Sequence, residues 1–160
     1  MVIIILGSKS DLNLAKEIIK NLQFFKIEYR LHIASAHKNP EYLLGLLKNY
    51  EAECKEKIYI CVAGRSNALG GFVDAQTLSP VINCPPYSEK FAGLDILSSL
   101  RMPSGICSMT VLEPEQAVLA AAKILALKDE EIRNRIKLYR KEYKDMMVRE
   151  NGKLSESSII

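Results

Sequence analysis

Val2-Ile3-Ile4-Ile5-Leu6 is an unbroken apolar run, most of it β-branched. A strand with one face in water would alternate apolar and polar residues; an unbroken run needs cover on both faces, as a central parallel strand has. The run stops at Gly7-Ser8-Lys9-Ser10-Asp11, after which Leu12, Ala15, Ile18, Ile19, Leu22 and Phe25 recur at helical spacing. The chain therefore opens with a strand, a polar turn and a helix.

The same alternation continues. Ile27, Tyr29, Leu31 and Ile33 alternate as a second strand, and Asn39-Pro40 supplies a cap and a first-turn proline for a helix carrying Leu43, Leu44, Leu46, Leu47 and Tyr50. Ile58 to Val62 reads as a third strand, followed by the loop Ala63 to Gly71 and a short helix toward Leu78. Pro80 to Cys84 reads as a fourth strand, Pro85-Pro86 as a stiff turn open to a cis bond, Gly93 to Arg101 as a helix, and Ile106 to Met109 as a weak fifth strand. A helix is expected from Pro114 and a charged helix over 129–150, with 151–160 as a flexible tail. Repeated βα units with short connections predict an α/β fold: a three-layer αβα sandwich with a doubly wound, flavodoxin-like parallel sheet and extra C-terminal helices. Residues 1–128 form the expected catalytic domain. In such sheets a ligand sits beyond the carboxyl ends of the strands, between strands 1 and 3, so the loops after the strands are the place to look.

With 160 residues, 48% of them hydrophobic, the chain can fill one core. No apolar run approaches the roughly 20 residues of a membrane helix, and the first run lacks the charged leader of a secretory signal, so a cytoplasmic location and no membrane role are expected. Cys54, Cys61, Cys84 and Cys107 form no C-x-x-C pair, which predicts reduced, mostly buried thiols and no zinc site. A net charge of +3 from 22 basic and 19 acidic side chains favours no nucleic-acid role.

Three loops carry candidate chemistry. Gly7 to Asp11 brings Ser8, Ser10 and Asp11 to a helix start, where free N–H groups can hold a phosphate and Asp11 can accept from ribose hydroxyls; alternatively Ser10 or Asp11 simply caps the helix. Neither a P-loop nor G-x-G-x-x-G is present. In Ser35-Ala36-His37-Lys38, His37 can exchange protons near neutral pH and Lys38 can neutralise a phosphate, whereas His32 lies within the strand and reads as structural. In Ala63 to Gly71, Gly64 lets the backbone approach a ligand, Arg65 can hold a carboxylate or phosphate, and Ser66 and Asn67 have no packing role; Gly70 and Gly71 read as close helix packing on the sheet.

Taken together, GSKSD at Gly7 to Asp11, SAHK at Ser35 to Lys38, AGRSNALGG at Ala63 to Gly71, CPPYS at Cys84 to Ser88 and SSLRMPSG at Ser98 to Gly105 resemble the aminoimidazole ribonucleotide carboxylases and the related N5-carboxyaminoimidazole ribonucleotide mutases. Lys38 after the loop histidine, and Arg65-Ser66-Asn67-Ala68-Leu69-Gly70 where the mutases carry an AAHLPG-like string, resemble the direct carboxylase branch. The resemblance implies carboxylation of aminoimidazole ribonucleotide at C4 with carbon dioxide, in purine biosynthesis, without ATP or any cofactor or metal. It implies phosphate and ribose contacts from Ser8, Asp11 and Lys38 with Ser10 and Ser35 beside them, and proton transfer at His37. Gly64, Arg65, Ser66 and Asn67 would close over the base, with Arg65 orienting the carboxyl group. It also implies a homo-oligomer, tetramer or octamer, with the terminal helix packed between subunits. The other readings are a mutase using the N-carboxylated ribonucleotide, and a flavodoxin-like flavin or nucleotide module, for which only Tyr87 and Phe91 offer aromatic stacking near the fourth loop.

Overall fold

The computed structural model describes residues 1–53 and 55–156. The chain divides into two units, Met1–Ala121 and Ala122–Ile160. The first holds β1 (Val2–Leu6), α1 (Leu12–Phe24), β2 (Tyr29–Ile33), α2 (Pro40–Glu51), β3 (Ile58–Val62), α3 (Ala68–Asp74), β4 (Val81–Asn83), α4 (Leu97–Leu100) and β5 (Met109–Thr110). All five strands are parallel in the order β2-β1-β3-β4-β5, the flavodoxin-like order expected from the sequence.

β1 and β3 lie at the centre and are buried at every position. Because side chains alternate across a strand, Ile3, Ile5, Tyr59 and Cys61 share one face, where they pack with Leu43, Leu47 and Tyr50 of α2 and with Leu69 and Val73 of α3. Val2, Ile4 and Leu6 point the other way, toward the layer in which α1 buries Ala15, Ile18 and Leu22. Each fully buried Ile or Leu contributes roughly 1.5–3 kcal/mol before chain entropy is counted. At Gly70, α3 lies against the sheet: a Cβ there would collide with the side-chain amide of Asn83, so the packing role expected of this glycine is what the fold requires. Gly71 faces Met102 Sδ at 3.2 Å on the same count.

Several expectations shift. β2 is an edge strand, and its Leu31 and Ile33 are 36% and 47% exposed; His32 instead bonds Tyr50 Oη of α2 through Nε2 at 2.7 Å. β5 begins later than expected because Ile106 N–H turns back to Pro103 O and Cys107 N–H is captured by Asp74 Oδ2 at 2.8 Å, which removes both from the ladder. The helix expected over 93–101 is a 3₁₀ turn, Leu94–Ile96, running into the single turn of α4, since Gly93 enters it in the left-handed conformation (φ 76°). Pro85-Pro86 is trans; no cis peptide occurs among the described residues. Cys61 and Cys84 are buried, Cys107 is exposed rather than buried, and Cys54 lies outside the described residues. Burial pushes the Cys84 thiol up to about 12, and nearby Glu113 and Glu17 add to it.

α5 (Pro114–Leu125) leads into the second unit, whose main element is α6 (Glu130–Glu156). Asp129 Oδ1 caps α6 by accepting from Ile132 N–H at 3.0 Å, and Arg133 donates from Nε and Nη2 to Ala126 O. Glu131–Arg135 at 2.8 Å and Glu130–Arg133 at 3.3 Å line its surface at helical spacing. The helix continues past the expected end at Glu150 and includes 151–156: Gly152 alone is a weak breaker and no proline intervenes. Residues 157–160 of the expected tail lie outside the described residues. No helix among the described residues is long and apolar enough to cross a membrane.

Candidate active site

The loops after β1, β2 and β3 meet at the carboxyl edge of the sheet, around a cleft of about 540 Å³. It is lined by Gly7, Ser8, Ser10 and Asp11 from the first loop, Ser35, Ala36, His37 and Lys38 from the second, and Ala63, Gly64, Arg65 and Ser66 from the third. This is the topological switch point, where β1 runs one way to β2 and β3 runs the other way to β4, and neighbouring loops must part.

The first loop is a 3₁₀ turn, Lys9–Asp11, capped by Ser8, whose Oγ accepts from Ser10 N–H at 3.3 Å and from Ser10 Oγ at 3.1 Å. Capping therefore falls to Ser8, not to Ser10 or Asp11; the Asp11 carboxylate makes no cap bond to α1 and faces the cleft. Burial pushes the Asp11 carboxyl above its ordinary range; hydrogen bonds from Ser10 and Ser8 and the charges of Lys38 and Arg65 pull the other way. Lys9 does not line the cleft.

The second loop is a tight turn at the start of α2. Ser35 Oγ accepts from Lys38 N–H at 3.2 Å, Ser35 O accepts from Asn39 N–H at 3.1 Å, and Asn39 Oδ1 caps α2 through Tyr42 N–H at 3.1 Å. These bonds use the main chain and the flanking side chains, so His37 and Lys38 are both exposed at the cleft. Below the turn, burial and the charge of Arg30 push the His32 imidazole below its ordinary pKa, so it sits neutral against Tyr50 and serves the strand, as expected.

The third loop crosses the top of the sheet. Gly64 is flush with the opposite segment, since a Cβ there would lie 3.2 Å from Pro86 Cγ and 3.6 Å from Asp95 Oδ2. Arg65 and Ser66 are exposed to the cleft. Asn67 is not: it is 4% exposed, its N–H donates to Ser98 Oγ at 3.0 Å, and its Nδ2 donates to Ser99 Oγ at 2.8 Å. Its side chain ties the loop down, in place of the substrate contact expected of it.

Leu69, Pro86, Tyr87, Ser88 and Asp95 complete the lining; the sequence offered Tyr87 only as a stacking partner for a flavin and gave none of the five a role toward a ribonucleotide. The CPPYS string pointed to this region, but nothing local says that residues after β4 fold over the β3 loop. The cleft thus offers hydroxyls and helix-start N–H groups from the first loop, a cation on each of the other two loops, and an accessible imidazole beside Lys38. That set suits a phosphorylated, hydroxylated small molecule undergoing proton transfer.

A family profile described as AIR carboxylase matches residues 1–146. The chain is 57% identical over 134 residues to the phosphoribosylaminoimidazole carboxylase of Archaeoglobus fulgidus, covering 84% of this chain and 73% of that one. It is 49% identical to the enzyme of the same name from Treponema denticola, covering 96% and 97%. The human bifunctional phosphoribosylaminoimidazole carboxylase/phosphoribosylaminoimidazole succinocarboxamide synthetase is 40% identical over 126 residues, or 30% of its length. In three dimensions the crystal structure of Treponema denticola PurE superposes with a TM-score of 0.94 at 49% identity, covering 96% of this chain and 97% of that one.

Proposed function

The chain belongs to the AIR carboxylase family, and from that premise we propose that it joins carbon dioxide directly to C4 of aminoimidazole ribonucleotide, without ATP. The observation that carries this reading is the exposed His37, set on a turn whose own bonds leave the ring facing a cleft with anion-binding and hydroxyl-binding groups.

The chemistry follows from the residue types. C4 of the aminoimidazole is enamine-like, and its electron pair attacks the carbon of carbon dioxide. The new C–C bond forms as one C=O π pair moves onto oxygen. C4 then carries a hydrogen and a carboxylate, and His37 takes that hydrogen as a proton, returning the C–H pair to the ring and restoring aromaticity. Ser8, Ser10 and the start of α1, with Lys38, hold the phosphate; Asp11 accepts from the ribose hydroxyls; Gly64, Arg65 and Ser66 cover the base, with Arg65 toward the carboxyl group. Holding a weakly reactive carbon and a dilute gas in contact supplies much of the rate. Lys38 and the Arg65–Gly70 segment, together with relatives named as carboxylases, support carbon dioxide as the carboxyl source. The protein is expected to act as a homo-oligomer, a reading supported by the exposed Met147, Val148 and Leu154 of α6.

The deciding assay gives the enzyme aminoimidazole ribonucleotide and bicarbonate, with no ATP, and follows the 4-carboxylated product. Product formation is expected. Turnover only from the N-carboxylated ribonucleotide would make the protein a mutase and end this reading.

A further inference from the structure

Arg65 adopts φ 60°, a left-handed conformation that is costly for a residue with a Cβ. Lys26 and Ala92 share it, but each follows a helical turn, where such a residue commonly ends the helix. Arg65 instead stands between β3 and α3, at the cleft. Left-handed residues at such places persist only when their surroundings over-determine them.

Here the surroundings come from one distant segment. Asp95 Oδ2 accepts from Arg65 N–H at 2.9 Å, and Ser98 Oγ lies 2.7 Å from both Arg65 O and Asp95 O, which share its one hydroxyl hydrogen. Both main-chain groups of Arg65 are therefore held by side chains 30 and 33 residues further on. The Ser98 hydroxyl also accepts from Asn67 N–H, fixing the loop on the far side of Arg65. Asp95 lines the same cleft. Oδ2 is already engaged by the loop, so the part of Asp95 that the structure accounts for is its hold on Arg65.

We infer that Asp95, seconded by Ser98, is a positioning residue for the reaction: it holds the Arg65 main chain in the left-handed conformation that presents the guanidinium to the carboxyl group being transferred. The inference rests on the function proposed above, but not on the carboxyl source. If the clamp is lost, the loop relaxes to an ordinary backbone conformation and the Arg65 side chain leaves along a different direction. The phosphate and ribose contacts, which belong to the other two loops, stay in place.

The test is steady-state kinetics on the full chain with whichever carboxyl source the parent enzyme uses, so that a mistaken source and a mistaken clamp give different results. Asp95→Ala is expected to lower kcat about tenfold or more while KM for the ribonucleotide changes less than about threefold. Asp95→Asn keeps an acceptor oxygen and should recover to within about threefold of the parent. In an Arg65→Ala background, Asp95→Ala should cost little more, because the residue through which it acts is gone. Ser98→Ala should reproduce the kcat loss more weakly, and carries the test should Asp95→Ala not fold. Near-parental kcat in Asp95→Ala or in both single-site clamp variants, a loss confined to KM, no recovery in Asp95→Asn, or full additivity with Arg65→Ala would each overturn the inference.

Discussion

Apart from Gly7 N–H, which donates to Val62 O, the cleft wall made by Gly7–Asp11 and Ser35–Lys38 is held by hydrogen bonds spanning one to four residues, whereas the side-chain bonds that hold the wall made by Gly64–Asn67 reach 30 to 33 residues ahead. The first wall is a pair of helix-start turns that form with their own neighbours. The second takes its shape only once β4 has placed the segment after it across the sheet. Substitutions in the first wall should therefore act on binding or chemistry directly, whereas substitutions beneath the second should act through the shape of the Gly64–Asn67 loop or through folding.

The largest effect expected on this contrast comes from His37→Asn. The ring takes no part in the turn that carries it, so turnover should fall about 10²–10⁴-fold while ribonucleotide binding, measured by calorimetry, stays near that of the parent. Near-normal turnover would remove the imidazole from the chemistry and with it the role given to the first wall.

Gly70→Ala probes the second wall from below. The added Cβ would meet the buried Asn83 side chain, which bonds Ser108 and has no room to retreat. Overpacking of this kind costs about 1–3 kcal/mol and should lower the thermal midpoint by roughly 3–10 °C. An unchanged midpoint would mean that α3 can lift without consequence, and that the second wall is less dependent on the fold than its bonds indicate.

Asp11→Asn separates binding from stability in the first wall. Losing charged acceptance from the ribose should raise the ribonucleotide KM by about tenfold. Because burial raises the Asp11 pKa in the folded state, its ionisation works against folding: the associated stability is full below the unfolded value of 3.8 and lost as pH rises through the folded pKa. The Asn variant should thus have a slightly higher thermal midpoint than the parent at pH 7, a gain that vanishes near pH 3. A lower midpoint at pH 7 would contradict that sign.

The smallest effect is expected at His32, under the second loop. Its pKa is lowered by burial and Arg30, so its contribution is present above the unfolded value of 6.5 and lost as pH falls through the folded pKa. The parent should lose stability on mild acidification below pH 6.5, and His32→Gln should flatten that slope; equal slopes would show that the Tyr50 pairing does not couple protonation to β2.

The contrast also explains what could be read in advance. An unbroken β-branched run and a proline placed after an asparagine both act over a few residues, so the central strand and the α2 cap follow from short-range pattern. Asn67 shows where that stops. Its polarity suggested a ligand contact, but the fold supplies Ser98 and Ser99 as partners and turns it inward. Leu31 and Ile33 show it again, since alternation said which residues share a face and not that the face lies on an edge strand open to solvent.

By itself the sequence determined the parallel sheet, the loops that border the cleft and the turn that offers His37, because each depends on local periodicity, capping and turn chemistry. The tertiary structure alone decided that Asp95 and Ser98 clamp Arg65, that Asn67 is structural, and that Pro86, Tyr87 and Ser88 close the cleft. Those contacts join residues many positions apart, and no local signal along the chain carries information about which distant segment will arrive beside it.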